Sequence, residues 1–158
     1  MLPRTSPAVE SMLASGQLSR VTADLDLAEA ILGRARGRLR SARRALDDDD
    51  LSECASPLWD AVRLGCTAVL QSEGLRTHGD GHHAAVLEAV TEQYGHILGG
   101  GLRPARRLRE ARRDSQYPVS AVSEPLDADE IGEDLDTVER LLLAVEGLIP
   151  HVPVYRSG

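Results

Sequence analysis

The sequence predicts an all-α fold, an up-and-down bundle of four to five helices preceded by a short N-terminal helix. Three observations carry that expectation. The chain has no Phe, one Trp and three Tyr, so its core must be built from Leu, Val and Ala, a composition that favours packed helices over a sheet. Val21, Leu25, Ala28, Leu32, Ala35, Leu39, Ala42 and Leu46 alternate steps of four and three through almost four heptads. Ile131, Leu135, Val138, Leu142, Val145 and Ile149 repeat that spacing near the end of the chain. At 158 residues the chain has the length for one domain with a real core.

The elements follow in order. Ser6-Pro7 suits a helix start, and Gly16 suits its end. Residues 1–17 therefore read as an N-terminal segment, 18–150 as the bundle and 151–158 as a loose tail. The helix carrying the long seam takes Thr22 as its N-cap, with Asp24 and Asp26 in the first turn and Arg43 and Arg44 near the end, as the helix dipole prefers. The acidic run 47–50 ends it. A second helix starts near residue 51 or 56 and runs to 71, with Ala55, Leu58, Val62, Gly65 or Cys66, and Val69 on its inner stripe and Gly74 beyond its end. Trp59 reads as a core or interface anchor and Arg63 as exposed or facing a partner. Gly65 costs about 1 kcal/mol inside a helix relative to Ala, which points to close helix–helix contact there. The turn THGDGHH leads into a third helix bearing Val86, Leu87, Val90, Tyr94 and Ile97, which is expected to stop at the triple glycine 99–101 as a flexible joint. An Arg-rich helix, a loop over 119–125 and a final helix over 127–149 complete the series.

Bulk properties narrow the function. A net charge of −7 argues against an indiscriminate nucleic-acid binder. The charge is segregated, however. Arg34, Arg36, Arg38, Arg40, Arg43 and Arg44 form one basic block and residues 103–113 another, while residues 47–50 and 124–139 hold much of the acid. A basic groove and mutual neutralisation between helices are both compatible with that pattern. Cys54 and Cys66, twelve residues apart on one expected helix, stand roughly 18 Å apart, too far for a disulfide. They read as buried thiols of a cytoplasmic protein. No stretch has the length and apolarity of a membrane span, so no membrane association is expected. His78, Asp80, His82 and His83 offer zinc-type donors, but their spacing matches no metal signature; a capping or core-lining imidazole at His82 or His83 fits better, and neither metal nor cofactor is expected.

The stretch with chemical character is RPARRLREARRDSQYP, 103–118. Six arginines fall within eleven residues, offset only by Glu110. Leu102, Ala105, Leu108 and Ala111 draw an apolar stripe along one side. Arg106, Arg109, Arg113 and Tyr117, spaced three, four and four, draw a row along another. Pro118 disfavours helical geometry at Tyr117, so the helix should break there. Guanidiniums in line with a phenol can grip a phosphate or another anion; a solvated basic face is the alternative.

The order of helix two with Arg63, the Gly74 turn, the histidine turn entering helix three, and the ending Arg113-Asp114-x-x-Tyr117 resembles the HEPN superfamily of small all-helical domains, over about 22–149. In many such domains an Arg followed four to six residues later by His forms a metal-independent ribonuclease site at a dimer interface. By that resemblance Arg113 matches the arginine and Asp114 takes the polar position after it. Tyr117 stands where the histidine belongs, and His151 is far beyond the spacing. Tyrosine, with a pKa near 10, is a poor proton acceptor at neutral pH. The resemblance therefore implies a homodimer that binds RNA or another anionic partner through Arg63, Arg106, Arg109, Arg113, Asp114 and His82, in a regulatory or stress-related role. A partner protein such as an antitoxin or a nucleic-acid-processing enzyme is also implied. A toxin-type ribonuclease using Arg113 with Tyr117 or a turn histidine, and an interaction module without nucleic acid, are the alternatives.

Overall fold

A computed structural model describes residues 5–78, 83–116 and 127–156, with backbone only for 113–116. The described residues form six α-helices and one two-stranded ribbon. The helices are α1 (Pro7–Ser15), α2 (Leu25–Asp47), α3 (Ala55–Glu73), α4 (His83–Leu102), α5 (Ala105–Gln116) and α6 (Ala128–Leu148). Strands β1 (Leu18–Arg20) and β2 (Leu75–Thr77) pair antiparallel, Leu18 opposite Thr77 and Arg20 opposite Leu75. The expected all-α bundle behind a short N-terminal helix is what the chain forms.

α3 is the axis. Of its residues only Ser56, Asp60, Arg63 and Thr67 reach solvent, spaced four, three and four apart in a single stripe. The expected one-sided inner face is in fact a helix wrapped nearly all round, by α2, α4, α5 and α6, as an apolar circumference requires. The small residues let neighbours close in: a side chain at Gly65 would meet Leu142 Cδ2 at 2.9 Å. Trp59 is fully buried, with the His83 ring 6.4 Å away. Cys54 and Cys66 are buried free thiols; Cys54 sits just before α3 rather than within it.

Four expectations are corrected. The N-cap of α2 is Asp24, whose Oδ1 accepts from Leu27 N at 3.0 Å, not Thr22. The reason is the ribbon. Val21 N donates to Gly74 O (2.9 Å) and the Thr22 carbonyl accepts from Gln71 Nε2 (2.9 Å), which holds this segment extended and leaves Leu25 40 % exposed. The ribbon also explains Gly74, whose φ of 78° favours glycine and where a Cβ would strike Val21 O at 2.8 Å.

Secondly, α4 does not stop at the glycines but runs through them to Leu102. Gly101 faces α6 so closely that a Cβ there would meet Leu141 Cβ at 2.7 Å, so tertiary contact overrides the poor helix propensity. Thirdly, Leu98 rather than Ile97 faces inward, and Ile97 is 47 % exposed.

Lastly, the expected loose tail is docked. Tyr155 is buried, its N–H donates to Glu73 O (2.9 Å), and its hydroxyl accepts from Ser6 N (3.0 Å) and donates to Glu10 Oε1 (2.9 Å). Arg20 lies over its ring at 5.5 Å.

No helix among the described residues is long and apolar enough to cross a membrane, and no group of metal-ligating side chains gathers among them.

Candidate functional site

α5 is joined to α4 by the two-residue turn Arg103-Pro104. Leu108 N donates to Pro104 O (3.0 Å), so Pro104 caps the first turn. Leu102, Ala105 and Leu108 are buried as the sequence stripe predicts, and Ala111 is partly so. The described part of α5 runs to Gln116; Tyr117 and Pro118, where a break is expected, lie outside the described residues.

The arginines of this helix are not equivalent. Arg107 reaches across to α6 and clasps both Glu130 and Asp134. The Asp134 side chain is only 6 % exposed; burial pushes its carboxyl above the usual range, and the Arg107 guanidinium opposes that without cancelling it. Arg107 is therefore a docking residue. The acidic start of α6 meets the basic helix through it, so the neutralisation expected as one alternative is realised at this position.

Arg106 and Arg109 face outward. Arg106 is 91 % exposed, and its Nε lies 3.4 Å from Glu110 on the same helix. An exposed pair of that kind contributes well under 1 kcal/mol. Arg109 has no ion pair among the described residues. The geometry thus brings Arg106 and Arg109 into one solvent-facing row, with the backbone of Arg113 and Asp114 continuing the same helix. The side chains of Arg113 and Asp114, and the whole of His82 and Tyr117, lie outside the described residues.

Arg63 sits elsewhere, on the partly exposed stripe of α3. Its Nη2 is 3.6 Å from Asp60 Oδ1, and Asp60 Oδ2 also accepts from Arg38 Nη2 at 2.8 Å. It belongs to a local network with α2. His83, the other turn histidine, opens α4 beside Trp59. The basic block of α2 is likewise partly spent on acids, Arg36 on Glu146 (2.6 Å) and Arg43 on Glu139 (3.2 Å).

The sequence reading missed one polar cluster entirely. Glu73, the last residue of α3, is buried; Gln93 Nε2 donates to its Oε1 at 2.9 Å and Tyr94 packs beside it. A carboxylate at a helix C-terminus, where the dipole disfavours it, was the available signal.

A HEPN domain profile matches residues 28–148. The chain belongs to the HEPN family. No curated protein matches it at a significant level. The HEPN match begins inside α2 and ends with α6, so α1, β1 and the Tyr155 strap lie outside it. Within the matched region, Arg113 and Asp114 fall on the last turns of α5, beyond the Arg107 clasp.

Proposed function

We propose that this HEPN domain binds RNA through the outward-facing Arg106 and Arg109 of α5 together with Arg113 further along the same helix, and that it acts as a non-catalytic, regulatory module. One observation carries the reading. The fold uses Arg107 to fasten α5 to α6, yet leaves Arg109 without an ion pair among the described residues and Arg106 tied only to a neighbour on its own helix. Guanidiniums left in that state exchange water for phosphate oxygens at low cost and bind them bidentately. Catalysis would need a proton acceptor that titrates near pH 7. The residue four after Arg113 is tyrosine, which does not meet that need.

Fluorescence anisotropy with a labelled single-stranded RNA tests the proposal. Three phosphate contacts give an affinity loss of about 20-fold between 50 and 200 mM salt. Arg109→Ala with Arg113→Ala should weaken binding at least tenfold while the melting temperature holds. Salt-independent binding, or none, removes the reading. RNA cleavage abolished by Arg113→Ala would replace it with a ribonuclease. The companion proposal, a homodimer that sets two such rows side by side, is read from light scattering at micromolar concentration, where a monomer refutes it.

A further inference from the structure

Leu143 on α6 is the most exposed large apolar side chain among the described residues, at 60 %. α6 forms a ridge here between two grooves. Toward α2, a groove of about 210 Å³ is lined by Leu39, Leu142 and Leu143 together with Arg36, Arg40, Arg43 and one acid, Glu139. Toward the end of α4, a groove of about 450 Å³ is lined by Ile97, Leu98, Leu141 and Ala144, with Arg103 and Arg140. Gly100 lines this second groove, and a Cβ on it would meet nothing within 4 Å. The two grooves share α6, so leucine and isoleucine side chains are bracketed by arginines on both flanks.

Two of those arginines bridge to glutamates of α6, Arg36 to Glu146 and Arg43 to Glu139. Arg40, Arg103 and Arg140 have no ion pair among the described residues; Arg140 Nη2 reaches only Thr137 Oγ1, at 3.4 Å. The combination of exposed aliphatic surface and unneutralised guanidiniums restricts what fits. A nucleic acid would reward the arginines but leave Leu143 and Ile97 wet. Among the described residues Trp59, Tyr94 and Tyr155 are all buried, so none of these rings is offered for a base to stack on. A second copy docked by two-fold symmetry would bring the arginine-flanked face against itself, and like charges so placed repel.

We propose that the α2–α6–α4 face docks an acidic amphipathic helix of a partner protein, whose apolar stripe covers Leu143 and Ile97 while its carboxylates engage Arg40, Arg103 and Arg140. This is helix-in-groove recognition, with apolar anchors for affinity and charge for specificity. The site is separate from the outward row of α5 and does not rest on RNA binding.

The test uses the full chain and three labelled synthetic 20-residue helical peptides. One has leucines at i, i+3, i+4 and i+7 flanked by glutamates; the second carries Gln for Glu, and the third Ser for Leu. The acidic amphipathic peptide should bind saturably, and each control at least tenfold more weakly. Leu143→Asp and Arg140→Glu should each weaken it at least tenfold without moving the melting temperature, since both side chains lie at the surface, and both variants should keep their affinity for the RNA oligonucleotide. Absence of saturable binding overturns the proposal, as does equal binding by Leu143→Asp. Displacement of the peptide by RNA overturns it in favour of a nucleic-acid surface. A dimer that Leu143→Asp converts to monomer overturns it in favour of a second copy.

Discussion

Replacing Glu73 with glutamine should change how stability depends on pH, and the size of that change can be worked from the surroundings of one carboxyl. Glu73 is 1 % exposed at the C-terminal end of α3. Burial pushes its pKa from an ordinary 4.5 to about 8, even though its neighbours Gln93 and Tyr94 favour the charged form. Tyr94 is itself pushed up by burial and by the adjacent carboxyl. Between pH 4.5 and about 8 the folded chain therefore holds a proton at Glu73 that the unfolded chain has lost. The contribution of Glu73 to stability is greatest below 4.5, falls as pH rises through that window, and levels off above about 8. The span is 3.5 pH units (8 less 4.5), and at ~1.4 kcal/mol each the ceiling is about 5 kcal/mol. Relaxation and water penetration around an ionising buried group reduce this to about 2–4 kcal/mol.

Glu73→Gln removes the titration and keeps an acceptor for Gln93. Urea unfolding of both proteins from pH 5 to pH 8 is the assay. The two curves should nearly coincide at pH 5 and diverge steadily, the variant being the more stable by about 2–4 kcal/mol at pH 8. The difference between the two proteins isolates Glu73 from Asp134, whose carboxyl burial also raises. Parallel curves across the range would refute the argument, because they would mean that Glu73 ionises as readily in the folded chain as in the unfolded one.

Two further perturbations test how the helices are fastened. Arg107→Ala strips the cation from Asp134 and Glu130. Arg107 itself is half-exposed, so the expected loss in urea unfolding is about 1–3 kcal/mol, with faster amide exchange concentrated in α5; unchanged exchange there would mean that the clasp does not hold the helix. Gly101→Ala presses a methyl into Leu141 and should cost about 1–3 kcal/mol in a thermal melt. Gly100→Ala, where the added Cβ meets open space, should instead stabilise by up to ~1 kcal/mol. The opposite order would contradict a continuous α4 packed on α6.

What could be read in advance follows from the range of the interactions involved. The seams of α2 and α6, the Ser6-Pro7 start of α1 and the Gly16 and Gly74 ends depend on residues within a turn or two of one another, and they were legible. The glycines at 99–101 were misleading because Gly101 packs on Leu141, forty residues on. Thr22 lost to Asp24 as a cap because Gln71 holds the Thr22 carbonyl. Nothing local in β1 or β2, three residues each, announces a strand, and Tyr155 acquires its role only from Ser6 and Glu10 at the far end of the chain. At the candidate site the outward placement of Arg106 and Arg109 was legible from spacing alone. Which arginine the fold would keep for itself was not, since that depends on where α6 lies.

That division of labour governs how the RNA measurement is to be read. Among its described apolar side chains α5 turns Ala105, Leu108 and part of Ala111 inward, little apolar surface, so the Arg107 clasp contributes to its attachment. Salt that weakens phosphate contacts would also release α5 if the clasp were equally screened, and the salt slope would then report unfolding instead of binding. Asp134, with its side chain 6 % exposed, argues otherwise. Screening acts over about 8–10 Å in physiological salt but far less on charges withdrawn from solvent. Between 50 and 200 mM salt the contacts of the 91 % exposed Arg106 and its neighbour Arg109 should weaken while the clasp persists. A salt-dependent loss of RNA affinity with constant amide protection in α5 then counts phosphates, and one accompanied by falling protection does not.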